Sequence, residues 1–361
     1  MYIKEIELKN FRNYEELHLE FNENVNFIIG NNAQGKTNLL EGIYLSSIGK
    51  SFRTSRDNEM IGFNKDFCRV KVKGEKELFP VEVDITLKKD LGKAIKINGV
   101  NITKSSELLE NIYIVIFSPE DLKIVKDEPE KRRKFIDKEL CLLRPSYYDA
   151  LSNYKKVLTQ RNTYLKEYNI EPSILDIWDM QLAKYGAAII SMREEFIKKI
   201  NLISKEIHSN ITNGKEELKI EYSPNIKNSD NLEDVIYEIL KESRQNDLRL
   251  RTTTKGPHRD DIEFYINEIN VRSFGSQGQQ RTAALSLKLA ELNLIKEETG
   301  ESAILLLDDV MSELDETRQK FLIKSLSEIQ LFITTTEITD SLKDVIAKGK
   351  IYTVENGQIK L

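Results

Sequence analysis

Gly30-Asn31-Asn32-Ala33-Gln34-Gly35-Lys36-Thr37, followed by Asn38, fits the spacing G-x-x-x-x-G-K-[ST], and its residue types suit the grip on a chain of phosphates. Backbone N–H groups of such a loop point at phosphate oxygens and the glycines permit close approach. Lys36 brings positive charge to the β and γ phosphates, and the Thr37 hydroxyl can ligate Mg²⁺. A second group is Asp308-Asp309, delivered at the end of the apolar run 303–307. Ligands of open α/β sheets bind at the carboxyl ends of strands, which places Asp308 to hold Mg²⁺ and Asp309 to orient or deprotonate an attacking water. A third group, Ser276-Gln277-Gly278-Gln279-Gln280-Arg281, opens a helical pattern carrying Ala284, Leu287 and Leu292. A hydroxyl and backbone donors at a helix N-terminus offer a second contact to an anion. Each group alone has a plainer reading, as a glycine turn, a pair of capping acids or an ordinary helix cap; together in one chain they point to ATP and Mg²⁺, with Lys36, Asp308 and Asp309 as the catalytic set.

The elements that must position these groups are short apolar runs. Val25–Ile29, 112–117, 303–307 and Leu331–Thr335 read as parallel strands covered on both faces, three of them followed by helical patterns, which predicts a doubly wound α/β core. After the loop at 30–37 the pattern Leu39, Leu40, Ile43 and Tyr44 predicts a helix. Alternation at Ile3, Ile6 and Leu8, at Val81, Val83, Ile85 and Leu87, and at Ile262, Phe264 and Ile266 predicts a half-buried antiparallel sheet as well. Asn98-Gly99 and Asn356-Gly357 read as two-residue hairpin turns. In the middle, Leu151, Tyr154, Leu158, Leu165 and Tyr168, with Arg161 in one slot, and then Leu182, Tyr185, Ile189, Met192, Phe196, Ile203 and Ile207 follow three-four spacing on either side of a turn at 169–176. This predicts an antiparallel helix pair forming an inserted arm. The expected division is 1–120 for the first part of the head, 121–250 for the arm and 251–361 for the rest of the head, with 215–234 the loosest stretch.

Composition narrows the class. The 361 residues are 31% charged and 40% hydrophobic, with no uncharged apolar run long enough for a membrane span and no signal-peptide pattern at the start, so a cytoplasmic protein is expected. Two cysteines and three scattered histidines exclude a disulfide framework and a thiolate metal site. With 54 Lys+Arg against 59 Asp+Glu, any DNA binding must come from local patches. Lys50, Arg53 and Arg56 form the favoured patch for DNA phosphates. The run Lys131-Arg132-Arg133-Lys134 follows an acidic first turn and reads equally as helix electrostatics, and in the cluster Arg249, Arg251, Lys255, His258 and Arg259 the histidine is as readily a structural hydrogen-bonder.

These motifs together resemble the ATP-binding-cassette ATPases: 30–37 resembles the Walker A loop, Ser276-Gln277-Gly278-Gln279 the signature, Asp308-Asp309 Walker B, and 312–315 the D-loop. The separation of Lys36 from Ser276 is too long for a transporter-type cassette and matches the subgroup whose head is interrupted by a coiled coil or helical arm, which includes the SMC proteins. Within it the chain is most similar to the RecF family, through Asn10-Phe11-Arg12-Asn13-Tyr14, Gly49-Lys50-Ser51-Phe52-Arg53-Thr54, Phe117-Ser118-Pro119-Glu120-Asp121-Leu122, Arg132-Arg133 with Phe135 and Asp137, and Gly256-Pro257-His258-Arg259-Asp260-Asp261. The resemblance implies an ABC-type P-loop ATPase head with an antiparallel β subdomain and a helical arm. It further implies an ATP-dependent homodimer in which Ser276 and Gly278 of one copy meet the γ-phosphate held by the other, and in which Arg12 touches nucleotide. DNA at single-strand gaps, RecO and RecR as partners, RecA loading and slow hydrolysis that drives release are implied in the same way. Departures from the general cassette are Asp309 where a Glu is usual, no Gln within 118–121 and no His after Leu331–Thr335, which leaves the γ-phosphate sensor open, with Thr335 and Thr336 as candidates. The alternative is an energy-coupling ATPase subunit for a membrane or other protein partner, against which the long separation and the missing His argue.

Overall fold

In the computed structural model the chain divides into two compact units, Met1–Leu122 with Glu291–Leu361, and Lys123–Ala290. The structure describes residues 1–76, 79–326, 328–337 and 349–360, apart from the side chain of Ser105. The first unit holds two six-stranded sheets. In one, Val25–Ile29 lies between Leu331–Thr335 and Gly349–Glu355, and Ile304–Asp308 and Ile114–Phe117 continue it, all parallel; Gln358–Lys360 closes one edge antiparallel. The almost uninterrupted burial of Val25–Ile29, Ile114–Phe117, Ile304–Asp308 and Leu331–Thr335 is what a parallel sheet covered on both faces demands. The other is antiparallel, in the order Tyr14–Glu20, Tyr2–Phe11, Phe67–Lys76, Phe79–Lys88, Gly92–Ile97 and Val100–Asn101. Its alternating burial points Ile3, Ile6, Leu8, Val83 and Ile85 into the shared core.

The helix Lys36–Ile48 packs on strands of both sheets, so apolar residues surround it where a surface helix would carry a single stripe. Leu39, Leu40 and Ile43 are fully buried and Tyr44 nearly so, as their spacing predicts. Both hairpin turns form: Asn98 and Gly99 have φ of 49° and 82°, Asn356 and Gly357 of 49° and 72°. Positive φ at both central residues matches the right-handed twist of the flanking strands, and Asn-Gly reaches it at low cost.

The second unit corrects the expectations in five ways. Pro145–Tyr164 and Pro172–Thr212 do pack as a pair joined by residues 165–171, but Pro129–Leu143 packs on the first of them and Leu232–Leu250 on the second. The stretch 215–234 is not the loosest part: it contains the strand Leu218–Ser223, which pairs in full with Asp261–Ile266. The alternation Ile262, Phe264 and Ile266 therefore belongs to a separate three-stranded sheet, because its partner strand lies in this unit. The helix Gln277–Thr299 runs on to the first unit, so the boundary follows Ala290, and residues 251–290, expected in the head, pack with the insertion. Tyr168, placed on the buried stripe by its spacing, is fully exposed because the helix has already ended at Tyr164.

Candidate functional site

The strand Val25–Ile29 ends at the loop 30–37, and Gly35 turns the chain into the helix with φ of 121°, a conformation closed to side chains with a Cβ. A Cβ there would also press on the Asn13 side chain at 2.7 Å. Tyr14 donates to the Gly35 carbonyl at 3.0 Å and Asn13 donates to that of Gln34 at 2.9 Å. The carboxyl-terminal hairpin closes the other side, Asn356 N–H reaching Gln34 Oε1 at 2.6 Å and Gly357 N–H the Gln34 carbonyl at 3.0 Å. A loop fixed by partners from two hairpins has little conformational entropy left to lose when an anion enters it.

Asn31, Asn32, Ala33, Gly35, Lys36, Thr37, Asn38, Arg53 and Asp309 line a cavity of about 240 Å³. Lys36 is buried, and its ammonium donates to the loop's own carbonyls, Gly30 at 2.8 Å and Asn31 at 3.3 Å. These acceptors are neutral, and a phosphate oxygen offers the charge that they lack. Thr37 Oγ1 donates to Asp308 Oδ1 at 2.9 Å, bringing a hydroxyl and a carboxylate together as the hard oxygen donors that suit Mg²⁺. Among the described residues no group of three or more His, Cys, Asp and Glu forms a cation cage, so a metal here would complete its shell with water and phosphate oxygens. Burial pushes the Asp308 carboxyl above the usual carboxylate range, against the pull of the Thr37 and Thr334 hydroxyls.

Thr334, which carries no motif signal, connects the two acids. Its hydroxyl donates to Asp308 Oδ1 at 2.9 Å and accepts from Asp309 N–H at 2.8 Å. Parallel pairing sets Thr334 opposite Asp308, so register alone brings them together. Asp309 sits in the left-handed region with φ of 51°, which turns its backbone off the strand beside the cavity.

The remaining expected residues fall in different places. Arg53 lies on the cavity wall, donating to Asn38 Oδ1 at 2.6 Å, with the buried carboxylate of Glu41 at 3.6 Å. Arg56, paired with Glu59, and Lys50 are exposed. Arg12 is not on the cavity wall: it grips both oxygens of Glu41 and the Glu59 carbonyl, bracing the P-loop helix. No motif marks Glu41 or Thr334, and Asn13 stands only within the family string 10–14; Glu41, an acid among Leu39, Leu40, Ile43 and Tyr44 on the helix after the loop, is the available signal. In the second unit, Ser276 caps the helix Gln277–Thr299, accepting from Gln279 N–H at 3.2 Å while its own N–H donates to Gln279 Oε1 at 2.9 Å, and Ser276 and Gln277 are exposed.

In the second unit, the family strings around Arg132 and His258 make structural contacts. Arg132 pairs with Asp261 at 2.6 Å; Arg193 reaches Tyr147, Asp137, Asp260 and the Pro257 carbonyl. His258 sits between the Tyr154 hydroxyl at 2.7 Å and the Thr253 carbonyl at 3.0 Å, and burial lowers its pKa to about 4. Both ring nitrogens are occupied within the fold, which favours the structural reading of His258.

The family described as RecF/RecN/SMC N terminal domain matches residues 2–360. The chain is 49% identical over 362 residues to the DNA replication and repair protein RecF of Clostridium botulinum (strain ATCC 19397 / Type A), covering 100% of both chains. It superposes on a solved structure of the recombination mediator protein RecF with ATPrS in the RecFOR pathway with a TM-score of 0.92 and 38% identity, covering 99% of this chain and 97% of that one. A second structure, with ATP, gives a TM-score of 0.91 over the same shares, also at 38% identity.

Proposed function

The chain belongs to the RecF family of DNA replication and repair proteins, and from that premise we propose that it acts as an ATP-gated DNA clamp. It is an ABC-type ATPase. The observation that carries the reading is the ammonium of Lys36 held, among the described residues, by neutral loop carbonyls beside the Thr37–Asp308 pair, in an open cavity. Thr37 and Asp308 would hold Mg²⁺, which when bound neutralises phosphate charge. The 30–38 backbone orients the phosphates and Lys36 pairs with them. Asp309 holds the attacking water from one methylene further back than a glutamate, which keeps turnover slow. Arg53 faces the same phosphates from the cavity lining, leaving Lys50 and Arg56 for the DNA backbone; that Arg53 lines the cavity supports that division.

Two copies close on two nucleotides, Ser276, Gly278 and Gln279 of one meeting the γ-phosphate held by the other, with Thr335 and Thr336 as further contacts. The exposure of Ser276 and Gln277, and of Phe274 at 79%, supports a contact face there. DNA at single-strand gaps is the surface gripped, RecO and RecR are the partners, RecA loading the outcome and the cytoplasm the location; the RecFOR pathway named for the matching structures supports this assignment. The energy-coupling alternative is not favoured, since the matching relatives are RecF proteins.

Sedimentation with Mg²⁺ and a slowly hydrolysed ATP analogue, with and without a gapped duplex at two salt concentrations, tests the clamp. Expected are nucleotide-dependent dimers that hold DNA more weakly as salt rises, and a Ser276→Arg variant that stays monomeric with one nucleotide bound. A nucleotide-bound monomer indifferent to DNA would overturn it.

A further inference from the structure

We propose that Glu216 is a positioning residue that holds the turn 276–279 ready for the second copy; this rests on the composite-site reading above. Gln279 spends its side-chain oxygen on the Ser276 N–H, and its amide nitrogen donates to Glu216 Oε1 at 2.9 Å. The other carboxylate oxygen, Oε2, lies 3.2 Å from His208 Nε2. His208 is fully buried near the end of the long helix Pro172–Thr212, and its Nδ1 lies 3.2 Å from Ser286 Oγ, which donates to the Thr282 carbonyl at 2.8 Å in the signature helix itself. Glu216 thus ties the end of the arm's longest helix to the first turn of the signature helix.

The chemistry makes this selective. A carboxylate only accepts, so Glu216 fixes which way the Gln279 amide faces: nitrogen to Glu216, oxygen to the Ser276 N–H. In that arrangement Ser276 Oγ accepts from Gln279 N–H, and its own hydrogen remains to be donated outward from an exposed side chain. Without Glu216 the Gln279 side chain regains its rotamers, half of the reciprocal cap is lost, and a first turn that contains Gly278 frays. The ordering cost then falls on dimerisation, while the phosphate loop of each copy is untouched.

The test is the chain-concentration dependence of ATPase rate and of ATP-dependent dimerisation. Glu216→Ala is expected to raise the chain concentration for half-maximal activity about tenfold, the scale set by one lost hydrogen bond to a charged group, with the plateau rate and the monomer's affinity for nucleotide unchanged. Glu216→Gln keeps an acceptor for Gln279 and turns its amide N–H to His208 Nε2, which accepts once the ring carries its hydrogen on Nδ1 toward Ser286 Oγ, and is expected to restore dimerisation to within about twofold of wild type. Glu216→Asp, which draws the carboxylate back by one methylene, shifts the same way as Ala and serves if Ala does not fold. Wild-type dimerisation in both Ala and Asp variants, with Ser276→Arg monomeric, would overturn the role of Glu216 and leave the composite site standing. Normal dimerisation of Ser276→Arg would instead remove the composite site.

Discussion

Lys36 in the first unit and Arg193 in the second are both buried cations, 4% and 2% exposed, and their partners differ in kind. Arg193 has every guanidinium nitrogen committed: Nε to the Tyr147 hydroxyl, Nη1 to Asp260 and the Pro257 carbonyl, Nη2 to Asp137. Lys36 has two carbonyls and faces a cavity. Arg161 is likewise held by carboxylates, Nε by Asp179 and Nη1 by Asp247 with Thr253, while its Nη2 is buried without a hydrogen-bond partner among the described residues. Burial of charge therefore does not mark a reactive site here. What marks it is a cation whose partners are neutral and whose surroundings are open, since only such a group gains by meeting an anion.

Four experiments can break or sharpen that contrast. The largest effect is expected from Arg193→Leu, which strands two carboxylates in the arm: a loss of about 3–5 kcal/mol in urea unfolding, with nucleotide affinity of the folded protein unchanged. Equal loss of nucleotide affinity would break the distinction between the two cations. Lys36→Ala is the mirror experiment. Nucleotide affinity should fall on the order of a hundredfold by titration calorimetry, with little change in unfolding. Thr334→Val removes the hydroxyl between the acids; a drop in turnover of about tenfold is expected in a steady-state assay, with affinity retained. An unaltered rate would show that register alone fixes Asp308 and Asp309.

The smallest effect concerns His258. Its folded pKa, about 4, lies below the unfolded value, so the folded state binds fewer protons, and stability present above about pH 6.5 is lost as pH falls toward 4. The loss attributable to this ring is on the order of 1 kcal/mol per pH unit. It should vanish in His258→Gln when urea midpoints at pH 7 and pH 5 are compared. A pH dependence unchanged by the substitution would assign the acid loss to other groups.

Much of the head was legible because its signals are local. The apolar runs at Val25–Ile29 and Leu331–Thr335 bound their strands correctly, and the asparagine-glycine pairs bound their hairpins. The arm was legible only in part. Three-four spacing found Tyr154, Leu182 and Phe196, but the helix Leu232–Leu250 and the strand Leu218–Ser223 bury faces that no local period reports as belonging together. In the site, Arg12 and Arg53 are arginines from neighbouring family strings with no local feature to separate their roles. Glu41 takes both groups of Arg12 and stands near Arg53, and the cavity falls on the side of Arg53.

By itself the sequence determined the phosphate loop, the acids at the end of their strand and the family, because each is a matter of residue type at fixed spacing along a few bonds. Tertiary structure alone decided that Thr334 joins Asp308 to Asp309, that Asn356 and Gly357 clamp Gln34, and that Glu216 joins His208 to Gln279. Those pairings arise from sheet register and helix packing between distant segments, where the energy of a contact depends on which groups the whole fold brings within hydrogen-bond reach.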